Sequence, residues 1–446
     1  MRKLSFILLC AVPFSAFATT EDCMTRMDVP SGKLNLPQVI ELGLCRNPQT
    51  AAAYMSYESA RLSKNAAYSS YLPSLRGSVS SSKPHRKQEW EDWSFSASLS
   101  ASYLIFDFGK RFSDVKQSIY AWRAAGFDYD ETVQNYVYSI IGSYYALLNA
   151  NADVESAEML RKVAQTARDT AQKKFQAGSV AKADVLKADT TLASRDLDLE
   201  RAKNNREIAK GTLLSKLSFP ANQEIDIADL PSTIGTPQET KSLDELFEQA
   251  QKTRPDLLRA TANKDAAWHK RNSVFLSNLP SISATGSLSW GGQDLEHITN
   301  LHKDKLEGHI GLSVSMPLFT GFANMYNTRV ASANYERALE QERQINDNAT
   351  LDIFTAYQNY KTAQTVLKQT ETLLKSATES ERVTAGMYRV GRATMLDWQT
   401  AQSELLSAEK QNNAAKYDLF TKRAAVALAV GEIKSELDKG NENEEK

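Results

Sequence analysis

Three cysteines in 446 residues, a formal net charge of −1 and no long apolar run after the first twenty residues are the chain's first informative features. So few cysteines exclude a disulfide-built scaffold, and the absence of CxxC spacing speaks against a thiol or metal site. A balanced charge removes the electrostatic footprint of a nucleic-acid binder, so no nucleic acid is expected as a partner. No later window approaches the roughly 18–20 apolar residues that a membrane-spanning helix needs. There is no HExxH, no nucleophile elbow and no phosphate loop, so neither catalytic residue, cofactor nor resident metal is expected, and the chain is not read as an enzyme. His297, His302 and His309, spaced by five and seven, do not put three ligands on one helix face.

What is present begins with MRKLSFILLCAVPFSAFATT: a basic start, an apolar run from Leu4 to Phe14 and a small-residue end at Ala16-Phe17-Ala18. This is the plan of a secretory signal peptide over residues 1–18. The leucines before Cys10 are too large for a lipoprotein signal, so no acylated amino terminus is expected. Cys23 and Cys45 remain after cleavage, in a compartment where disulfides persist, and are expected to pair. An exported chain without a membrane helix is either soluble outside the cytoplasm or a β-barrel.

The stretch DWSFSASLSASYLIFDFG favours the barrel. From Trp93 to Ile105 every odd position is apolar or aromatic, and the even positions from Ser94 to Ser102 are serine. Alternate residues of a strand face opposite sides, so one face is buried in something apolar and the other stays wet. Ordinary strands run about 5–6 residues, whereas a tilted crossing of the bilayer takes roughly 9–11. A long strand of a soluble sandwich is the alternative.

The chain is also written twice. Leu36 recurs as Leu243, Pro48 as Pro255 and Leu72-Pro73 as Leu279-Pro280, each 207 positions on. After the strands the displacement becomes 213: Phe106 with Phe319, Gly178 with Gly391, Asp184 with Asp397. An insertion of six residues between the strands accounts for the change. Each copy (19–217 and 241–431) is predicted to hold a helix of about 37 residues ending at Leu-Pro, two alternating strands, a rod of about 65 residues and a further helix. The second copy's strands are SISATGSLSW and HIGLSVSMPLF. Each rod would be about 100 Å long at ~1.5 Å per residue, a length that belongs to coiled-coil-like assemblies. Residues 218–240 read as a linker and 432–446 as a solvated tail.

Four strands cannot close a barrel, since the smallest membrane barrels use eight. Open strand edges in lipid leave backbone groups unsatisfied at several kcal/mol each, so other chains must complete the wall. Serine and glycine on the wet face (Ser94 to Ser102, with Gly311, Ser313 and Ser315) suit an open lumen.

The twofold repeat, the Leu-Pro before each strand pair, the LIFDFG and LFTGF junctions and the paired tips FQAGSVAKADVLKA and YRVGRATMLDWQTA together resemble the TolC family of outer-membrane efflux proteins. The resemblance covers nearly the whole mature chain. It implies a mixed α and β, mostly α fold: a homotrimer in outer-membrane lipid, with four strands per chain in a shared twelve-stranded barrel continued by a helical periplasmic tunnel. It also implies a periplasmic adaptor (membrane fusion) protein and an inner-membrane transporter of the proton-driven RND or ATP-driven ABC class. The chain would pass small toxic molecules or secreted polypeptides. The alternative is a periplasmic coiled-coil scaffold without a pore.

Carried onto this sequence, the family's adaptor contacts fall on Ala177, Gly178, Ser179, Val390 and Gly391, where glycine also serves simply to end a helix. Its inward-facing acids fall on Asp184 and Asp397; a ring of three would favour cations, and helix-start aspartates that complement the dipole are the alternative. Tyr388 matches a tyrosine that bonds to the acid of the neighbouring tip, here Asp184. Two positions depart from the pattern: Arg392 stands one place early, with Ala393 where the gate arginine is usual, and Thr400 replaces an aspartate.

Overall fold

A computed structural model describes residues 32–83, 85–86, 89–90, 93–228, 242–292 and 306–433. The expected signal peptide, Cys23, His297, His302, most of the linker and nearly all of the tail lie outside these residues. In chain order the elements are β1 (Lys33–Leu34), α1 (Leu36–Arg46), α2 (Pro48–Ala67), β2 (Ser74–Ser82), β3 (His85–Arg86), β4 (Glu89–Trp90), β5 (Ser94–Phe106), α3 (Lys110–Gln176), α4 (Lys182–Lys216), β6 (Asp226–Ile227), α5 (Leu243–Thr253), α6 (Pro255–Leu276), β7 (Ser281–Gly292), β8 (Leu306–Ser315), α7 (Ala323–Arg389) and α8 (Met395–Val430). The order helix, helix, strand, strand, rod, helix occurs twice. Both rods, α3 and α7, are unbroken 67-residue helices, and neither contains a proline.

The helix of about 37 residues expected at the head of each copy is two helices instead. Asn47 is extended (φ −72°, ψ 121°), as is Arg254 (φ −74°, ψ 118°). Each precedes a proline, whose ring disfavours the α region for the residue before it and is well placed at the first position of a new helix. Asn47 also caps that new helix: its Oδ1 accepts from the backbone N–H of Gln49 at 2.7 Å and of Thr50 at 3.0 Å. Upstream, Asn35 with Gln38 and Ser242 with Glu245 form capping boxes that start α1 and α5.

The chain divides into two units. One, Ala53–Glu131 with Pro255–Ala349, carries an antiparallel four-stranded sheet in the order β2-β5-β7-β8. Leu99 pairs with Gly77 and Leu288, and Tyr103 with Ala284, which pairs with Leu312; these residues share one face. Ser98 pairs with Ser78 and Ser289, and Ser283 with Ser313, on the other. The serine hydroxyls pair across strands: Ser78 with Ser98 at 2.7 Å, Ser80 with Ser96 at 2.8 Å, Ser82 with Ser94 at 2.9 Å and Ser283 with Ser313 at 3.0 Å. On the apolar face Leu75, Val79, Leu312 and Ile310 are exposed, Ile310 to 93%. A register shift between Leu104 and Phe106 leaves Ile105 as the extra residue, so Phe106 pairs with Ile282. Such a bulge bends a strand as its pairing ends.

Each rod is entered through a left-handed turn of two residues: Phe108 (φ 54°) and Gly109 (φ 89°), then Gly321 (φ 62°) and Phe322 (φ 66°). At the first junction Asp107 and Arg111 are both buried. The Asp107 carboxylate accepts from Gly109 N–H at 3.2 Å and from Arg111 N–H at 2.8 Å and Nε at 3.2 Å. The Arg111 guanidinium also donates to the carbonyls of Leu104 at 2.7 Å and Ile105 at 3.1 Å, holding the end of β5. At the second junction Thr320 and Asn324 hold the corresponding places, and Thr320 Oγ1 accepts from Asn324 N–H at 3.3 Å.

The other unit comprises Met1–Ala52, Thr132–Arg254 and Thr350–Lys446. Its core begins with Val39, Ile140, Leu148, Leu213 and Leu217, where the Tyr136 and Tyr144 hydroxyls donate to the carbonyls of Lys216 at 2.8 Å and Ala228 at 2.9 Å. β1 and β6 pair in parallel beside it. Further along the helices alanines share the core with the larger side chains: Ala157, Ala164, Ala167, Ala171, Ala188, Ala401 and Ala408 are buried, as are Leu160, Leu199 and Leu405. Cys45 is disulfide-bonded, and its expected partner Cys23 is among the residues not described.

Candidate gate at the helical tips

Two helix-to-helix turns, 177–181 and 390–394, carry the expected adaptor-contact residues and Arg392, and the helices beside them carry Asp184, Tyr388, Asp397 and Thr400. Both turns are built the same way. Gly178 (φ 72°) and Gly391 (φ 76°) take the left-handed conformation, which glycine adopts without the Cβ clash that other residues meet. Ser179 N–H donates to Lys174 C=O at 2.8 Å and Gly178 N–H to Phe175 C=O at 2.9 Å; Arg392 N–H donates to Met387 C=O at 2.8 Å and Gly391 N–H to Tyr388 C=O at 3.1 Å. Each pair is a Schellman termination, which uses carbonyls that the helix end leaves free. Ala177, Gly178, Ser179, Val390, Gly391 and Arg392 are all exposed. Phe175, Val390 and Leu396 add exposed apolar side chains to this surface.

Beneath the turns Tyr388 is buried, 3% exposed, in a cluster with Ala167, Ala171, Val185, Ala188, Ala385, Met395 and Trp398. Its ring lies 5.2 Å from that of Trp398, and the Lys174 ammonium sits 4.4 Å from its centroid. Lys174 Nζ also donates to the Tyr388 carbonyl. Among the described residues the Tyr388 hydroxyl has no hydrogen-bond partner. The bond to Asp184 anticipated from the family pattern is therefore not made within one chain. Burial pushes the Tyr388 phenol up, and the nearby Asp184 carboxylate pushes it further in the same direction.

The two acids differ. Asp397 closes a capping box: Thr394 donates to its carboxylate from N–H at 2.8 Å and Oγ1 at 2.7 Å, while Asp397 N–H donates back to Thr394 Oγ1 at 3.2 Å. The Thr394 hydroxyl, then its N–H, hold the Asp397 carboxyl below the usual range. Asp184 is half-buried in the first turn of α4, whose N-cap Ala181 offers no side-chain acceptor. Thr400 Oγ1 donates to the carbonyl of Leu396 at 3.0 Å, one turn back.

Sequence reasoning missed the groups that tie the two hairpins together. Gln399 Nε2 donates to the Lys187 carbonyl at 2.9 Å and Arg195 Nη2 to Ser403 at 3.1 Å, while within the second hairpin Trp398 Nε1 donates to Glu381 at 2.8 Å. Lys174 and Trp398 carried a usable signal, since each stands within seven residues of a turn glycine.

The sequence model of the outer membrane efflux protein family matches residues 39–217 and 246–432. The chain belongs to that family. It is 23% identical over 398 residues to the toxin and drug export protein A of Aggregatibacter actinomycetemcomitans, covering 88% of this chain and 85% of that one. To the outer membrane protein TolC of Escherichia coli K12 it is 23% identical over 419 residues, covering 90% and 82%. Among solved structures, the outer membrane protein VceC of Vibrio cholerae superposes with a TM-score of 0.77 at 20% identity, covering 89% of this chain and 96% of that one. That likeness concerns the fold alone: a mixed, mostly helical chain. As an outer membrane efflux protein it resides in the outer membrane.

Proposed function

We propose that this chain is the exit duct of a tripartite export machine. Three copies close a twelve-stranded barrel, and their helices continue as a tunnel across the periplasm, through which small toxic molecules or secreted polypeptides leave. The observation that carries this reading is the sheet: four long strands, one exposed apolar face, one serine face and, among the described residues, an open outer side on each edge strand. Exposed apolar patches of this kind mark a membrane or a partner, and open edges in lipid require completion by further strands. The two repeats, 19–217 and 241–431, supply equal halves of the wall, with 218–240 as the linker between them in the periplasmic equatorial region. A Cys23–Cys45 disulfide pins the leading segment to α1.

The exposed turns are the adaptor's docking surface, through Ala177, Gly178, Ser179, Val390 and Gly391, and an RND or ABC transporter feeds the duct from the inner membrane. Asp184, Tyr388, Arg392, Asp397 and Thr400 form the gate. Within it Asp184 is the more available acid, because Asp397 is engaged by Thr394. The unpartnered Tyr388 hydroxyl supports a bond that forms only when tips meet. Purified protein in a planar bilayer should give small, cation-preferring currents that rise several-fold in Asp184→Asn or Tyr388→Phe. Currents unchanged in both variants would remove the gate assignment while leaving the duct. Comparing drug susceptibility with the secreted proteome after gene deletion assigns the cargo.

A further inference from the structure

Strands β2 and β8 stand at the two edges of the sheet, and the internal repeat supplies the register of what each edge lacks. Displacing β2 by 207 and β5 by 213 turns the first hairpin into the second. Ser74 opposite Ser102 becomes Ser281 opposite Ser315, and Ser82 opposite Ser94 becomes Ser289 opposite Glu307; all four pairings are observed. The repeat therefore transfers strand pairing without slip. One in-chain pairing remains, β5 with β7, which joins the second strand of one repeat to the first strand of the next. Its transferred counterpart joins β8 of one chain to β2 of another.

We propose that β8 pairs antiparallel with β2 of a second copy of this chain in one register: Val314 opposite Val79, Ser313 opposite Ser80 and Ser315 opposite Ser78. These pairs correspond to Ala101 opposite Gly286, Ser100 opposite Ser287 and Ser102 opposite Thr285 within the chain. The inference rests on the barrel reading above and adds the residues at its subunit seam.

Two independent features agree with this register. Sidedness is preserved, with valine against valine on the greasy face and serine against serine on the wet one; a slip of one residue would reverse it. Val79 and Val314 are also 79% and 70% exposed in the single chain, and the seam would cover both. The repeat also shows where the seam must end. Pro317 stands where β5 has Leu104, and without an N–H it cannot continue a ladder, which agrees with β8 stopping at Ser315.

Oxidative cross-linking of the full-length protein in outer membranes tests the register. Val79→Cys/Val314→Cys, and on the water face Ser80→Cys/Ser313→Cys, should each convert most of the monomer band into a covalent trimer that reductant reverses. Directly opposed Cβ atoms lie ~4.5–5.5 Å apart and diagonal ones ~7–8 Å, and only the former approach disulfide reach, ~3.5–4.5 Å. The displaced pairs Val79→Cys/Leu312→Cys and Ser80→Cys/Ser315→Cys should therefore leave the monomer band nearly intact. Efficient cross-linking of a displaced pair, or none in either opposed pair of a trimeric protein, would overturn the register and leave the duct standing. A chain that is monomeric in native mass measurements would overturn both.

Discussion

The two repeats share a backbone plan but secure it at different places. The first is locked where strand becomes rod, by the buried Asp107–Arg111 pair and its carbonyl contacts, and is bare at the tip, where Ala181 caps α4 without a side chain. The second is loose at the corresponding junction, where Thr320 meets Asn324 through one long bond, and is capped at the tip by Thr394 and Asp397. Both junctions nonetheless adopt the same two left-handed residues, with glycine and phenylalanine exchanging order. Duplicated architecture thus fixes where the backbone turns, while the side chains that stabilise each turn diverge.

The largest test removes the lock. Arg111→Ala leaves the Asp107 carboxylate buried without its cation and should cost about 3–5 kcal/mol, by analogy with other broken buried pairs; denaturant unfolding in detergent measures it. A loss no greater than that of an exposed ion pair would erase the contrast between junctions. Next comes the capped tip, where Thr394→Ala should cost about 1 kcal/mol, seen as faster amide exchange at 395–398. The carboxylate in this cap has a depressed pKa, so its contribution is complete above the unfolded value near ~3.9 and disappears as pH falls through the lower folded value. The gap between wild type and variant should narrow below that point to what the Asp397 N–H to Thr394 Oγ1 bond alone contributes.

The bare tip offers the converse experiment. Ala181 already has N-cap geometry (φ −76°, ψ 155°), close to that of Thr394 (φ −85°, ψ 164°), and Asp184 stands three residues on. Ala181→Thr should therefore build the missing box and gain about 0.5–1 kcal/mol, measured as slower exchange at 182–185. The smallest effect belongs to Thr320→Ala, which loses one hydrogen bond worth about 0.5 kcal/mol. If it matched Arg111→Ala in denaturant unfolding, the second junction would depend on its side chain as much as the first.

Much of this was legible in the chain's periodicities. Alternation over Trp93–Ile105 located a two-faced strand because side-chain direction depends only on parity, and the proline-free intervals located both rods. The breaks before Pro48 and Pro255 were visible as dipeptides, yet the helical periodicity around them is continuous enough to hide a one-residue interruption. Tyr388 illustrates a different limit. Its fate depends on Trp398, Lys174 and Ala385 converging on it, and no spacing in the sequence records that an aromatic ring will be sealed with its hydroxyl unsatisfied. The Asp107–Arg111 spacing suits a helix pair, but its burial follows from the turn at Phe108, which only the fold creates.

The serine pairs of the sheet bear on how anything moves past them. A hydroxyl pair joined at 2.7–3.0 Å spends one donor and one acceptor site on itself and keeps the remaining lone pairs for water. In the duct proposed above such rungs stay hydrated, so a solute would slide along a wetted wall without first shedding its own water.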